Sequence, residues 1–89
     1  MNLADARAAT LALLAARAPE ATVCPSEVAR AITAGDTQGV IATWRDAMPV
    51  VHAAVDVLVT EGLVRLSWRG KRLSARVGPY RIARDTRTR

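Results

Sequence analysis

The stretch Trp44-Arg-Asp-Ala-Met-Pro49-Val-Val-His52-Ala-Ala-Val-Asp56-Val-Leu-Val-Thr60-Glu-Gly62-Leu-Val-Arg65-Leu-Ser-Trp68 decides the fold. From Pro49 to Glu61 the apolar positions Val51, Ala54, Val55 and Leu58 recur at helical spacing and converge on one stripe. Arg45, His52, Asp56 and Thr60 fall on the opposite side. Gly62 stands where a left-handed residue is needed to end the helix. Beyond it Val64, Leu66 and Trp68 alternate with Arg65 and Ser67, the period of a strand. A long helix that runs through one glycine into a hairpin strand is the second half of a winged helix-turn-helix. The expected class is therefore α+β, mainly α, with three helices and a C-terminal β-hairpin wing.

Upstream, Leu3 to Arg17 is rich in Ala and Leu without a breaker and reads as the first helix. Leu11, Leu14, Ala4, Ala8 and Ala15 are assigned to its buried face, with Asp5, Ala9, Ala12 and Ala16 opposite. Arg7 intrudes on the apolar arc, so either the helix starts late or the side chain snorkels outward. Ala18-Pro19-Glu20-Ala21 ends the helix, and Thr22-Val23 is a short β-branched pair suited to a small strand against the hairpin. Cys24-Pro25-Ser26-Glu27 has the form of a helix start, with Pro first and Glu third after a cap. Val28, Ala29 and Ile32 supply that helix's buried side. Thr33 to Gly39 is a polar connector with two glycines. Thr43-Trp44-Arg45-Asp46 reads as the capped start of one short helical turn, with a kink or break expected at Met48 because Pro49 follows. Trp44 is read as a core plug against the first two helices.

Downstream, Arg69-Gly70-Lys71-Arg72 opens the wing, and Leu73 to Val77 reads equally as wing or loop. After Gly78-Pro79, Tyr80 to Arg84 alternates as the returning strand with Tyr80 and Ile82 inward. Residues 1–84 form one domain, and 85–89, with nothing to bury, form a frayed tail.

With 89 residues the domain buries only about 60 % of its unfolded surface. Its core, lacking any Phe, is assembled from Ala, Val and Leu. A single cysteine excludes an internal disulfide and suits a reducing, cytoplasmic setting; Cys24 is read as structural. The amino-terminal segment lacks the order of a signal peptide, and no apolar run reaches membrane-span length, so no membrane partner is expected. The net charge of +5 conceals a division: the chain through Val64 carries −3 and the remainder +8. Twelve of the thirteen cations are Arg, whose planar fork suits phosphate.

No catalytic set is legible. There is one His, no metal-ligand cluster, no phosphate-cradling glycine loop and no dinucleotide fingerprint, so neither an enzyme nor a cofactor is expected. His52 is taken as a surface residue within reach of Asp56 at i+4. Nucleic-acid binding is better supported. The wing gathers Arg69, Lys71, Arg72 and Arg76 as phosphate contacts, and the third helix offers Arg45 and His52 toward a groove. Duplex DNA is the expected partner, held electrostatically with weak sequence preference and a log–log salt slope of about −3.6 for four phosphates. The alternative is a protein-interaction module whose basic edge meets an acidic protein partner. Monomer and homodimer both remain open, as do target sequence and effector.

The segments Cys24-Pro-Ser-Glu-Val-Ala-Arg30, Trp44-Arg-Asp-Ala-Met-Pro49-Val-Val51, Glu61-Gly62 and Gly78-Pro-Tyr-Arg81 resemble a small bacterial domain-of-unknown-function family, number 3253. The resemblance spans nearly the whole chain and implies a compact winged-helix-like domain with no established activity. It further implies that Trp44, Met48 and Pro49 are scaffold. The family commonly carries Arg at the position of His52, which weakens a base-reading role there.

Overall fold

The structure, a computed structural model, describes residues 2–34, 43–76 and 78–85. Its elements are α1 (Leu3–Ala15), β1 (Thr22–Val23), α2 (Pro25–Ala34), α3 (Trp44–Thr60), β2 (Val64–Trp68), β3 (Lys71–Leu73) and β4 (Arg81–Arg84). Three helices thus combine with a four-stranded antiparallel sheet of order β1-β4-β2-β3, which includes a wing-like hairpin. Most of the connector, from residue 35 to 39, lies outside the described residues, as do Val77 and the last four positions of the expected tail.

α1 starts where the Asn2 side chain accepts the Asp5 N–H at 2.9 Å. Its buried face is Ala6, Thr10 and Leu14, four residues apart. This corrects the expected face: Leu14 is buried and Leu11 partly so, but Ala4, Ala8 and Ala15 are exposed, and Ala9 packs on the core. Alanine on every side gives a helix no preferred orientation. Tertiary packing selected the small Ala6 and Thr10, and the Thr10 hydroxyl donates to the Ala6 carbonyl at 2.8 Å, so it needs no outside partner. Arg7 does not delay the helix. Its Nε and Nη2 donate to Glu61 Oε1 at 3.0 and 2.8 Å, tying α1 to the end of α3.

α2 begins as its sequence dictates. The Cys24 N–H donates to Glu27 Oε2 at 2.8 Å, Pro25 follows, and Val28, Ala29 and Ile32 are buried. The other Glu27 oxygen receives Arg17 Nη2 at 2.6 Å. Hydrogen bonds from Arg17 and from the Cys24 N–H hold the Glu27 carboxyl below its ordinary range.

α3 runs continuously through Pro49, so of the expected kink or break the break does not occur. Pro49 is its sixth residue, and it forfeits only the bond to the Arg45 carbonyl. Its ring faces solvent, while Ala47 and Val51 on either side are buried and anchor both turns. The Asp46 carboxylate accepts the Thr43 N–H at 3.2 Å, so the first turn starts capped. At the far end Gly62 has φ 76°, Gly62 N–H reaches Val59 O at 3.0 Å, and Leu63 N–H reaches Leu58 O at 3.1 Å. That pair of bonds is a Schellman stop, which turns the chain directly into β2.

Val64↔Arg84, Leu66↔Ile82 and Ser67↔Arg81 pair β2 with β4, and Thr22↔Ala83 with Val23↔Ile82 adds β1, as its β-branched sequence suggested. On the other edge Trp68↔Lys71 closes a two-residue turn in which Arg69 and Gly70 have φ 53° and 81°, the signs of a type I′ turn. Leu73 therefore belongs to the wing strand, and the loop begins at Ser74. Leu58, Leu66, Ile82, Val23, Val28, Val51, Val55 and Val64 are fully buried between sheet and helices, and Tyr80 joins them. Asp85, expected to fray, is held: its N–H donates to Leu63 O at 3.1 Å and its side chain is 2 % exposed. No helix among the described residues is long and apolar enough to cross a membrane.

Candidate functional site

The register of the sheet sorts the basic segment. Trp68 and Lys71 face each other across β2 and β3, so both project to the side of the sheet that carries Val64 and Leu66. Arg72, Ser67 and Arg81 form one row on the opposite side, with Arg65 the next position of β2 on that same face. Arg69 occupies the turn itself, its guanidinium carbon 5.8 Å from the Trp68 ring centroid. Arg69, Lys71 and Arg72 are exposed. Arg72 lies 3.9 Å from the Asp85 carboxylate, at the limit of an ion pair, and keeps 48 % of its side chain in solvent. The tip of the wing thus presents three cations that face water.

Among the described residues of the +8 segment, Arg76, Arg81 and Arg84 are engaged elsewhere. Arg76, expected at the wing front, folds back on α3: Nε and Nη2 donate to the two Asp56 oxygens at 3.1 and 3.0 Å, a fork on a carboxylate. Arg81 Nε donates to Thr22 Oγ1 at 2.6 Å and joins β4 to β1. Arg84 reaches under α1 and donates through Nη2 to the carbonyls of Leu14 and Arg17, the latter at 2.7 Å. There it adds a charged donor at the end of α1, where the Leu14 carbonyl also accepts the Arg17 N–H at 3.1 Å. Of the four wing cations expected to meet phosphate, Arg69, Lys71 and Arg72 stand exposed at the tip and Arg76 is turned back onto α3.

α3 contributes less than expected. Arg45 is exposed, its guanidinium carbon 4.6 Å from the Trp44 ring, and Arg30 of α2 lies 4.7 Å from the same ring. Trp44 is then only partly a core plug: half-buried, it packs on the core and also carries two guanidinium groups. Only Arg45 was named from the sequence; Arg30 is brought in by the packing of α2 on α3. His52 does not pair with Asp56. Its Nδ1 lies 2.6 Å from the Tyr80 hydroxyl, and the rings are tilted at 54° with centroids 5.6 Å apart. Burial holds the Tyr80 phenol well above its ordinary range. Burial, with Arg76 nearby, lowers the His52 pKa from 6.5 despite the opposing pull of Asp56. His52 thus joins α3 to the residue just before β4.

Between α3 and the wing loop lies a shallow groove of about 250 Å³, lined by Asp56, Val59, Thr60, Leu66 and Ser74 to Arg76. Among the described residues, no three His, Cys, Asp or Glu side chains gather as a metal site. Cys24 is a free thiol 3.1 Å from the Ser26 hydroxyl. Residues 4–85 match the family model described as Protein of unknown function (DUF3253). The chain belongs to the DUF3253 family. The match runs from α1 to the end of β4, as the resemblance of the four motifs implied. Among curated proteins none matches this DUF3253 chain.

Proposed function

We propose that this DUF3253 protein is a winged-helix module that binds duplex DNA, gripping phosphates mainly through the wing with little sequence preference. The observation that carries the reading is the tip: Arg69, Lys71 and Arg72 project from a hairpin closed by a rigid two-residue turn. Arg69 at the turn, with Lys71 and Arg72 on opposite faces of the ribbon, offers exposed cations to phosphates on either side of the hairpin. Arg45, exposed at the first turn of α3, adds a fourth contact from the helix that enters a groove in this architecture. The exposed stripe of α3 argues for weak specificity, because Pro49, Ala53 and Asp56 offer little to base edges.

Titration of a random duplex at increasing salt tests the proposal. Four neutralised phosphates give a slope of about −3.6 in log affinity against log salt. Absence of measurable binding at low salt in the micromolar range ends it. A second reading, a protein-interaction module, is favoured by the exposed Arg72 on the outer side of the sheet, a charge suited to an acidic partner. Under that reading a partner stays bound after nuclease treatment and random duplex does not compete for it.

A further inference from the structure

β2 points Val64 and Leu66 toward the helices, each 2 % exposed. Trp68 is next in that series by strand period, yet it falls beyond the core cluster and stands 37 % exposed. Its surroundings are cationic. The Arg69 guanidinium lies over the ring, and Lys71, directly across the strand pair, shares its face. The turn that follows fixes the position of the indole relative to both charges.

An exposed indole flanked by cations on a stiff tip has the chemistry of a stacking platform, with a flat π-face for a base and positive charge for the phosphates beside it. Intact duplex hides its base faces against one another. An indole then acts only by wedging a step apart, which costs unstacking energy, or by meeting a base already free. The second is the less costly. We infer that Trp68 stacks on an unpaired base, so that the preferred ligand of the wing is a duplex continued by single strand. The inference rests on the nucleic-acid reading above and deepens it by naming the form of nucleic acid.

The test compares wild type with Trp68→Leu and Trp68→Phe on two probes: a blunt duplex, and the same duplex with a short unpaired arm that carries a fluorescent purine at its first unpaired position. Stacking on one base predicts that wild type binds the armed probe about tenfold tighter than the blunt one and changes the purine signal. Trp68→Leu abolishes both the preference and the signal change while blunt-duplex affinity and the melting temperature stay as in wild type; Trp68→Phe restores part of the preference. Equal wild-type affinity for the two probes, or a preference that survives Trp68→Leu, overturns the inference. So does binding to phosphatidylcholine–phosphatidylserine vesicles that depends on Trp68 without any preference for the arm. Blunt-duplex binding without preference defeats this inference alone, whereas no binding to either probe defeats the duplex proposal too.

Discussion

Replacing Arg84 by Met separates structural from ligand-facing arginines. The guanidinium joins β4 to the end of α1 by donating to the carbonyls of Leu14 and Arg17. Hydrogen bonds from a charged donor contribute roughly 1.5–3 kcal/mol each, so the two together are worth about 3–6 kcal/mol. The Arg84 Nε–H is buried without a partner among the described residues, and Met removes that defect, returning about 1–2 kcal/mol. The expected net loss is about 2–4 kcal/mol, a large share of the roughly 5–15 kcal/mol typical of a folded domain. At about 4–8 °C per kcal/mol for a domain of this size, the melting temperature falls by ~10–30 °C. Thermal unfolding followed by circular dichroism measures it. Arg84→Lys recovers only part, because an ammonium keeps the charge near the helix end but lacks the fork. A melting temperature of Arg84→Met within a couple of degrees of wild type refutes the assignment. In that event Arg84 belongs with the cations available to a ligand.

Asp56→Ala releases Arg76 from its ion pair, so duplex affinity at low salt rises and the salt slope steepens by about 0.9, while stability changes by less than about 1 kcal/mol; anisotropy titrations in increasing salt read both, and an unchanged slope would mean that Arg76 does not reach the ligand. The lowered pKa of His52 sets a pH dependence: below 6.5 the unfolded chain takes up a proton that the folded chain resists, so stability, full above that value, declines as pH falls and levels off below the folded pKa. Denaturant midpoints at pH 7.5 and 5.5 measure the decline, and His52→Gln flattens it over that interval. Gly62→Ala places a side chain at φ 76° in the stop between α3 and β2 and costs about 1 kcal/mol, or ~4–8 °C in melting temperature; a variant as stable as wild type contradicts the Schellman geometry.

The parts of the fold legible in the sequence are those fixed by neighbours in the chain. The Val51–Leu58 stripe, the Gly62 stop and the alternation to Leu66 are local patterns, and each is present as expected. So are the Cys24–Glu27 start of α2 and the small strand at Thr22–Val23. The orientation of α1 was not legible, because Ala6, Ala8 and Ala9 have the same side chain and only packing distinguishes them. Pro49 does not break α3 because the rule for the residue before proline is statistical, and burial of Ala47 and Val51 holds both turns. At the candidate site, the exposure of Arg69, Lys71 and Arg72 follows from a turn that could be read directly. The positions of His52, Arg76 and Arg84 depend on partners 28, 20 and up to 70 residues away, which no spacing rule reveals.

Those distant partners bear on what a basic composition means in a domain this small. A core built from Val, Ala and Leu leaves little apolar area per residue to hold the elements in place, and guanidinium groups supply cross-links at the rim. Arg7 joins α1 to the end of α3, Arg17 joins α1 to α2, and Arg76 joins the wing loop to α3. Arg81 joins β4 to β1, and Arg84 joins β4 to α1. Arg reaches two acceptors at once and keeps its charge at any ordinary pH, so it performs this task better than Lys. The net charge of the carboxy-terminal third therefore overstates its attraction for a polyanion, since an arginine forked onto Asp56 presents no unbalanced charge. Under the proposed function the cations that matter are those at the turn, where Arg69, Lys71 and Arg72 remain exposed although Arg72 also lies 3.9 Å from the Asp85 carboxylate.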